Sequence, residues 1–150
     1  MRKYDYSFLN QRWKQLVGYI EEVSSLEDNF EKVVEVSRNS CKTFIRVICT
    51  LEDINLGDNL NISINELRSK GILSNNIYFK IKYIENEYLN IQSSNYFIDE
   101  EMAEICLDNL YEIIKWYSDK YESNNNYEDN KNNYKKVIYS KKDLDVFVEH

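Results

Sequence analysis

Proline is absent, glycine occurs three times, and the single histidine is His150, the last residue. Each shortage removes a class of chemistry. Without a histidine inside the chain there is no Ser-His-Asp or Cys-His arrangement of the ordinary kind, and no histidine-based metal site. Gly18, Gly57 and Gly71 stand too far apart to build a glycine-rich phosphate loop. The three cysteines, Cys41, Cys49 and Cys106, are an odd number with no tight pair, which supports neither a disulfide framework nor a zinc site. Cys41 and Cys49 would lie about 12 Å apart along one helix, too far to bridge. All three sit among apolar residues, as small buried thiols do. No stretch approaches the roughly 18 apolar residues of a membrane span. The opening "MRKYDYSFLNQRW" lacks the apolar segment of a signal peptide. These shortages predict a cytoplasmic protein with no cofactor and no membrane partner.

What is present points to helices. Hydrophobic residues make up 43% of 150, enough to build the core of one ordinary domain. With so few helix breakers, long periodic runs persist. The abundance of Asn, Ile, Lys and Tyr suggests an AT-rich bacterial or phage genome. The net charge is −7 and the pI about 4.8. Binding nucleic acid by counterion release needs a basic face, so direct binding is not expected. An acidic protein can instead imitate nucleic acid and block an enzyme that binds it. Here the carboxylates are interleaved with Lys and Arg, which favours simple solubility over imitation.

The periodicity predicts five helices. The first runs from Ser7, as cap, to about Val23, with Leu9, Trp13, Leu16, Ile20 and Val23 on one face. The second runs from about Asn29 to Leu51. It buries Phe30, Val33, Val34, Cys41, Phe44, Ile45 and Ile48, with Ser37 as a small residue in the stripe. Its other side carries Glu31, Lys32, Glu35, Arg38, Lys42 and Arg46, expected to face water. After the loop "EDINLGDNLN", a short helix spans about Ile62 to Lys70, and Gly71 follows where a left-handed C-cap is wanted. Ser74 and Asn75 open a fourth helix whose seam is Ile77, Ile81, Ile84, Tyr88 and Ile91. Asp99, Glu100 and Glu101 open the fifth. Its face is Met102, Cys106, Leu110, Ile113, then Trp116 or Tyr117, then Tyr121. Residues 122–133 read as a polar linker. In 134–150, "YKKVIY" and "DLDVFVE" read as two short strands or a hairpin. A lone hairpin is marginal in water, so this tail would need its own bundle, a second copy, a foreign sheet edge or a following domain.

The carboxylates form no recognisable site. Neighbouring acids on a helix diverge by about 100°, Glu101/Glu104 and Asp108/Glu112 lack the Glu-x-x-His partners of di-metal bundles, and Asp53 and Asp58 do not fit a calcium loop. The many tyrosines suit either an interface or bundle packing with hydroxyls at the rim.

The order "YDYSFLNQRW", "NFEKVVEVSRNSCKTFIRVI", "SINELRSKGILSNNIYFKIKYIENE" and "IDEEMAEICLDNLYEIIKWYSDKY" resembles a HEPN-like helical domain of unknown function. Such domains occur at the N-terminus of type I restriction-enzyme motor subunits and in defence-linked proteins. The resemblance covers about residues 4–121. It implies an all-α, HEPN-like bundle of four long helices and one short one, with the small C-terminal β element added. The polar signature departs from the family. Arg38 matches the expected Arg, but Lys42 stands where an acid is usual. Glu85, Tyr88 with Leu89, and Ser93 replace an Arg, a Gly-Asn and a His. The Arg-x4-6-His pair of HEPN ribonucleases has no counterpart. The resemblance therefore implies a polar site turned into an apolar, tyrosine-bearing surface, and binding in place of catalysis. The expected role is a non-enzymatic interaction module in a defence or counter-defence system, binding a protein partner or pairing with itself through the second and last helices. Arg38, Lys42, Arg46, Tyr83, Tyr88, Trp116 and Tyr117 are the expected exposed contacts. The alternatives are an acidic inhibitor that imitates nucleic acid and, more remotely, an atypical ribonuclease.

Overall fold

A computed structural model describes residues 4–25, 29–57, 59–93 and 95–122. They form a helical bundle: a 3-10 turn at Gln11–Trp13, then α1 (Lys14–Ser24), α2 (Phe30–Leu51), α3 (Leu60–Ser69), α4 (Asn75–Asn90) and α5 (Glu100–Tyr121). No strand occurs among the described residues. The expected linker and hairpin lie outside them, apart from Glu122.

Four of the five helix starts are fixed by a side-chain cap. The Asn29, Asn59 and Asp99 Oδ1 atoms and Ser74 Oγ accept from the backbone N–H of Lys32, Ile62, Met102 and Ile77, at 3.1, 3.0, 2.9 and 3.2 Å. The first helix departs from expectation. Ser7 does not cap it; its N–H donates to Asp5 Oδ1 at 2.9 Å in a local turn. The rings of Tyr4, Tyr6 and Phe8 all pack on Tyr111 of α5. This aromatic arm delays the helix to residue 14, so α1 has 11 residues and the bundle has two short helices, α1 and α3, instead of one.

Two helices end in the same motif with different residues. After α3, Gly71 takes φ +73°, its N–H donates to Arg68 O and the Ile72 N–H donates to Leu67 O, both at 2.9 Å. After α2, Asp53 takes φ 56° and the Ile54 N–H donates to Cys49 O at 2.8 Å. Only glycine takes this conformation without steric cost. Gly71→Ala is expected to destabilise by about 1 kcal/mol, and Asp53→Gly to stabilise by up to about 1 kcal/mol. Urea unfolding of both variants checks the pair; a stabilising Gly71→Ala would contradict the motif.

The long helix α2 is the axis of the bundle, packing against α1, α3, α4 and α5. Of the six charged residues expected on its solvent side, only Glu31 and Lys42 are exposed; Lys32, Glu35, Arg38 and Arg46 are half-buried. All three cysteines are buried and free, as expected. No helix among the described residues is long and apolar enough to cross a membrane.

Candidate functional site

Arg38 of α2 meets Glu85 and Tyr88 of α4. Arg38 Nε donates to Glu85 Oε2 at 3.1 Å, and its Nη1 donates to Asn39 Oδ1 at 3.4 Å. The guanidinium lies 4.5 Å from the centre of the Tyr88 ring. Side-chain exposure is 17% for Arg38 and 5% for Glu85. Two residues on, Glu87 is also buried, and its carboxylate accepts from the Tyr96 hydroxyl at 2.9 Å. Of the stretch 85–93, expected as an apolar, tyrosine-bearing surface, Leu89 is exposed and Tyr88 half-buried, while Glu85 and Glu87 turn inward. This part of α4 keeps two carboxylates, turns them inward and gives each a donor. The physical reason is the cost of burying an unpaired charge: Arg38 serves Glu85, and the Tyr96 loop folds back to serve Glu87.

Nearby thiols are quiet. Burial, with the field of Glu87 added, pushes Cys106 up to about 12. Burial, helped by Cys106 and Glu85, pushes Cys41 higher still. Neither is a thiolate nucleophile at neutral pH. Among the described residues no group of three or more His, Cys, Asp or Glu side chains is placed to hold a metal.

A second region is organised differently. The helical repeat that buries Ile77, Ile81 and Ile84 of α4 leaves another stripe outside: Asn76, Phe79, Tyr83, Asn86 and Asn90, at steps of three and four. Phe79 is 60% exposed. Arg68 of α3 sits 4.1 Å from the centre of the Tyr78 ring and 5.2 Å from that of Phe79, and its Nε donates to Asn75 Oδ1 at 3.1 Å. On α5 the residues Met102, Ile105, Asn109, Glu112 and Trp116 recur at the same steps, and all but the exposed Glu112 are half-buried. Lys120 continues that stripe and its Nζ donates to Ile72 O at 3.2 Å, just before α4 begins. The two stripes are therefore neighbours. Tyr83 joins them: burial raises its phenol to about 12, with Glu87, Cys106 and Asp99 adding to the shift.

The expected contacts divide accordingly. Tyr83 and Trp116 lie on this α4–α5 face. Lys42 is exposed on α2, and Arg46 is half-buried there. Arg38 is engaged with both Glu85 and Tyr88. Tyr117 is a correction, since it is 0% exposed. Its ring is packed 4.8 Å from Phe44 and 5.7 Å from Trp13, centre to centre. The steps Cys106, Leu110, Ile113, Tyr117 and Tyr121 carry it into the core and turn Trp116 to the edge. Phe79 and Arg68 were not anticipated. The signal for Phe79 was available as the second three-four stripe on the fourth helix; that for Arg68 was not, because it depends on how α3 and α4 fold together.

No family model, curated protein or solved structure matches this chain.

Proposed function

We propose that this chain is a protein-binding module and that the α4–α5 face is its contact surface. The observation that carries this is the exposed Phe79 held beside Arg68 and Tyr78, next to the half-buried Tyr83 and Trp116. Arginine and aromatic side chains dominate the energetics of protein interfaces. A ring kept in place before binding loses little further entropy on contact. A setting in restriction or defence assemblies is what the HEPN-like resemblance would support. The Arg38–Glu85 pair then serves the fold, with Tyr88 as its cover. Imitation of nucleic acid is the weaker reading, because Arg68, Lys80 and Lys82 interrupt the acidic surface.

Affinity capture from the native host tests the proposal. Bait carrying Phe79→Ser with Arg68→Ser is expected to bind the captured protein at least about ten-fold more weakly than the parent chain. A Glu21→Ser, Glu22→Ser control on exposed α1 should bind like the parent. Equal capture by all three would move the contact elsewhere.

A further inference from the structure

Side chains join α3 to α4 along one edge like the rungs of a ladder. Lys82 Nζ donates to Asn61 Oδ1 at 2.8 Å, the Tyr78 hydroxyl donates to Asn65 Oδ1 at 2.8 Å, and Arg68 Nε donates to Asn75 Oδ1 at 3.1 Å. The partners run in opposite order along the two helices, so the rungs follow one another along a single seam. Phe79, 60% exposed, stands on α4 between the two end rungs. Both cations of the ladder are held by neutral groups, Lys82 by an amide and Arg68 by an amide and two rings, and none of these carries a compensating charge. From Leu60 to Ile84 the one acid is Glu66, and it pairs with Lys70 at 3.4 Å. Arg68 and Lys82 have no ion pair among the described residues. The edge therefore reads cation, exposed ring, cation. From Asn75, which holds Arg68, to Lys82 is about 10 Å along the helix.

Residues 145–149 lie outside the described part of the chain, and their sequence is Asp-Val-Phe-Val-Glu. In an extended segment alternate residues share a side, so Asp145, Phe147 and Glu149 stand together with the two acids about 13 Å apart. That is acid, ring, acid at nearly the spacing of cation, ring, cation. The way back to the edge is short. Lys120 Nζ donates to Ile72 O at 3.2 Å, which sets the end of α5 beside the turn between α3 and α4. Residues 123–144 reach over about 70 Å when extended, several times the length of the edge. Resting on the binding reading above, we infer that this edge receives residues 145–149 of the same chain, with Asp145 and Glu149 on the two cations and Phe147 on Phe79. Attachment to the same chain gives the segment an effective concentration of roughly millimolar order, so modest contacts suffice to hold it. The contact covers Phe79 in the free chain, and a partner must displace it.

Photocrosslinking on the purified full chain tests this, with p-benzoylphenylalanine in place of Phe147. Irradiation is expected to join position 147 to the peptide that carries Phe79, in a product of monomer mass whose yield does not change on dilution. Raised salt is expected to lower that yield. Asp145→Lys with Glu149→Lys should lower it at least about five-fold. Arg68→Glu with Lys82→Glu should do the same, and the two pairs combined should recover it, because opposite charges again face each other. If the Arg68, Lys82 variant fails to fold, the reversal at 145 and 149, which replaces no residue of the bundle, decides alone. No crosslink to the Phe79 peptide, a crosslink only in a product of dimer mass, or a yield indifferent to the tail reversal and to salt, overturns the inference. A chain without the crosslink that still captures another protein through Phe79 sinks the tail contact and spares the binding reading. A chain with the crosslink and no capture that depends on Phe79 keeps the tail contact and sinks the binding reading.

Discussion

Trp13→Ala is expected to lower unfolding free energy by about 3–5 kcal/mol, the range for deleting a large buried aromatic side chain. Trp13 is 1% exposed. Its ring stacks on Phe44 with centres 4.2 Å apart and meets the Tyr117 ring edge-on. Its Nε1 donates to Glu122 Oε2 at 2.6 Å. One side chain therefore ties the 3-10 turn to α2, α5 and the residue where α5 ends. Aromatic pairs of this kind add roughly 0.5–1.5 kcal/mol beyond burial of area. A small domain has only about 5–15 kcal/mol in total, so the variant should unfold at much lower urea. Trp13→Phe keeps most of the stack and loses the indole hydrogen bond, and should cost far less. Equilibrium urea unfolding followed by circular dichroism measures both. A loss under about 1 kcal/mol for the alanine variant would show that the α2–α5 contact stands without it.

The second large effect is at Glu85. Truncating one partner of a buried ion pair costs about 3–5 kcal/mol, because the other charge is left without compensation. Arg38 keeps some contact with water, so Glu85→Ala is expected near the lower end of that range. The double replacement Arg38→Met, Glu85→Leu removes both charges and keeps volume, and should return most of the lost stability. The same unfolding measurement on Arg38→Met, Glu85→Leu and the double variant gives the coupling. A double variant as unstable as the sum of the singles would mean that Arg38 and Glu85 do not act as a pair.

Much of the bundle was legible because its signals are local. Asn29, Ser74 and Asp99 announce helix starts by side-chain chemistry alone, and Gly71 announces an end. The apolar periods of α2, α4 and α5 fix which sides go inward. The first helix was misjudged because Leu9 continues the period while the aromatic arm, which wins, depends on Tyr111 a hundred residues away. Asp53 was missed because an aspartate in the left-handed region has no glycine to mark it. The inward turn of Glu85 and Glu87 was not legible either. A carboxylate on a helix reads as solvated until a donor from another element is known to reach it, and those donors are Arg38 on α2 and Tyr96 in the next connection. Of the expected contact surface, Tyr83 and Trp116 fall on the α4–α5 face, and Tyr117 falls in the core one step of the helix away. Adjacent aromatics on α5 diverge by about 100°, so only the packing of α2 decides which one is outside.

The most direct test of the α4–α5 contact surface is photocrosslinking in the native host, with p-benzoylphenylalanine placed at Phe79 in one chain and at Leu56 in another. Both positions are exposed and apolar, at 60% and 49%, but Leu56 lies in the connection between α2 and α3. Irradiation is expected to give a discrete covalent adduct from position 79, to a second copy or to another protein, and none from position 56. No adduct at 79, or the same adduct from both positions, would contradict the assignment of this face as the binding surface.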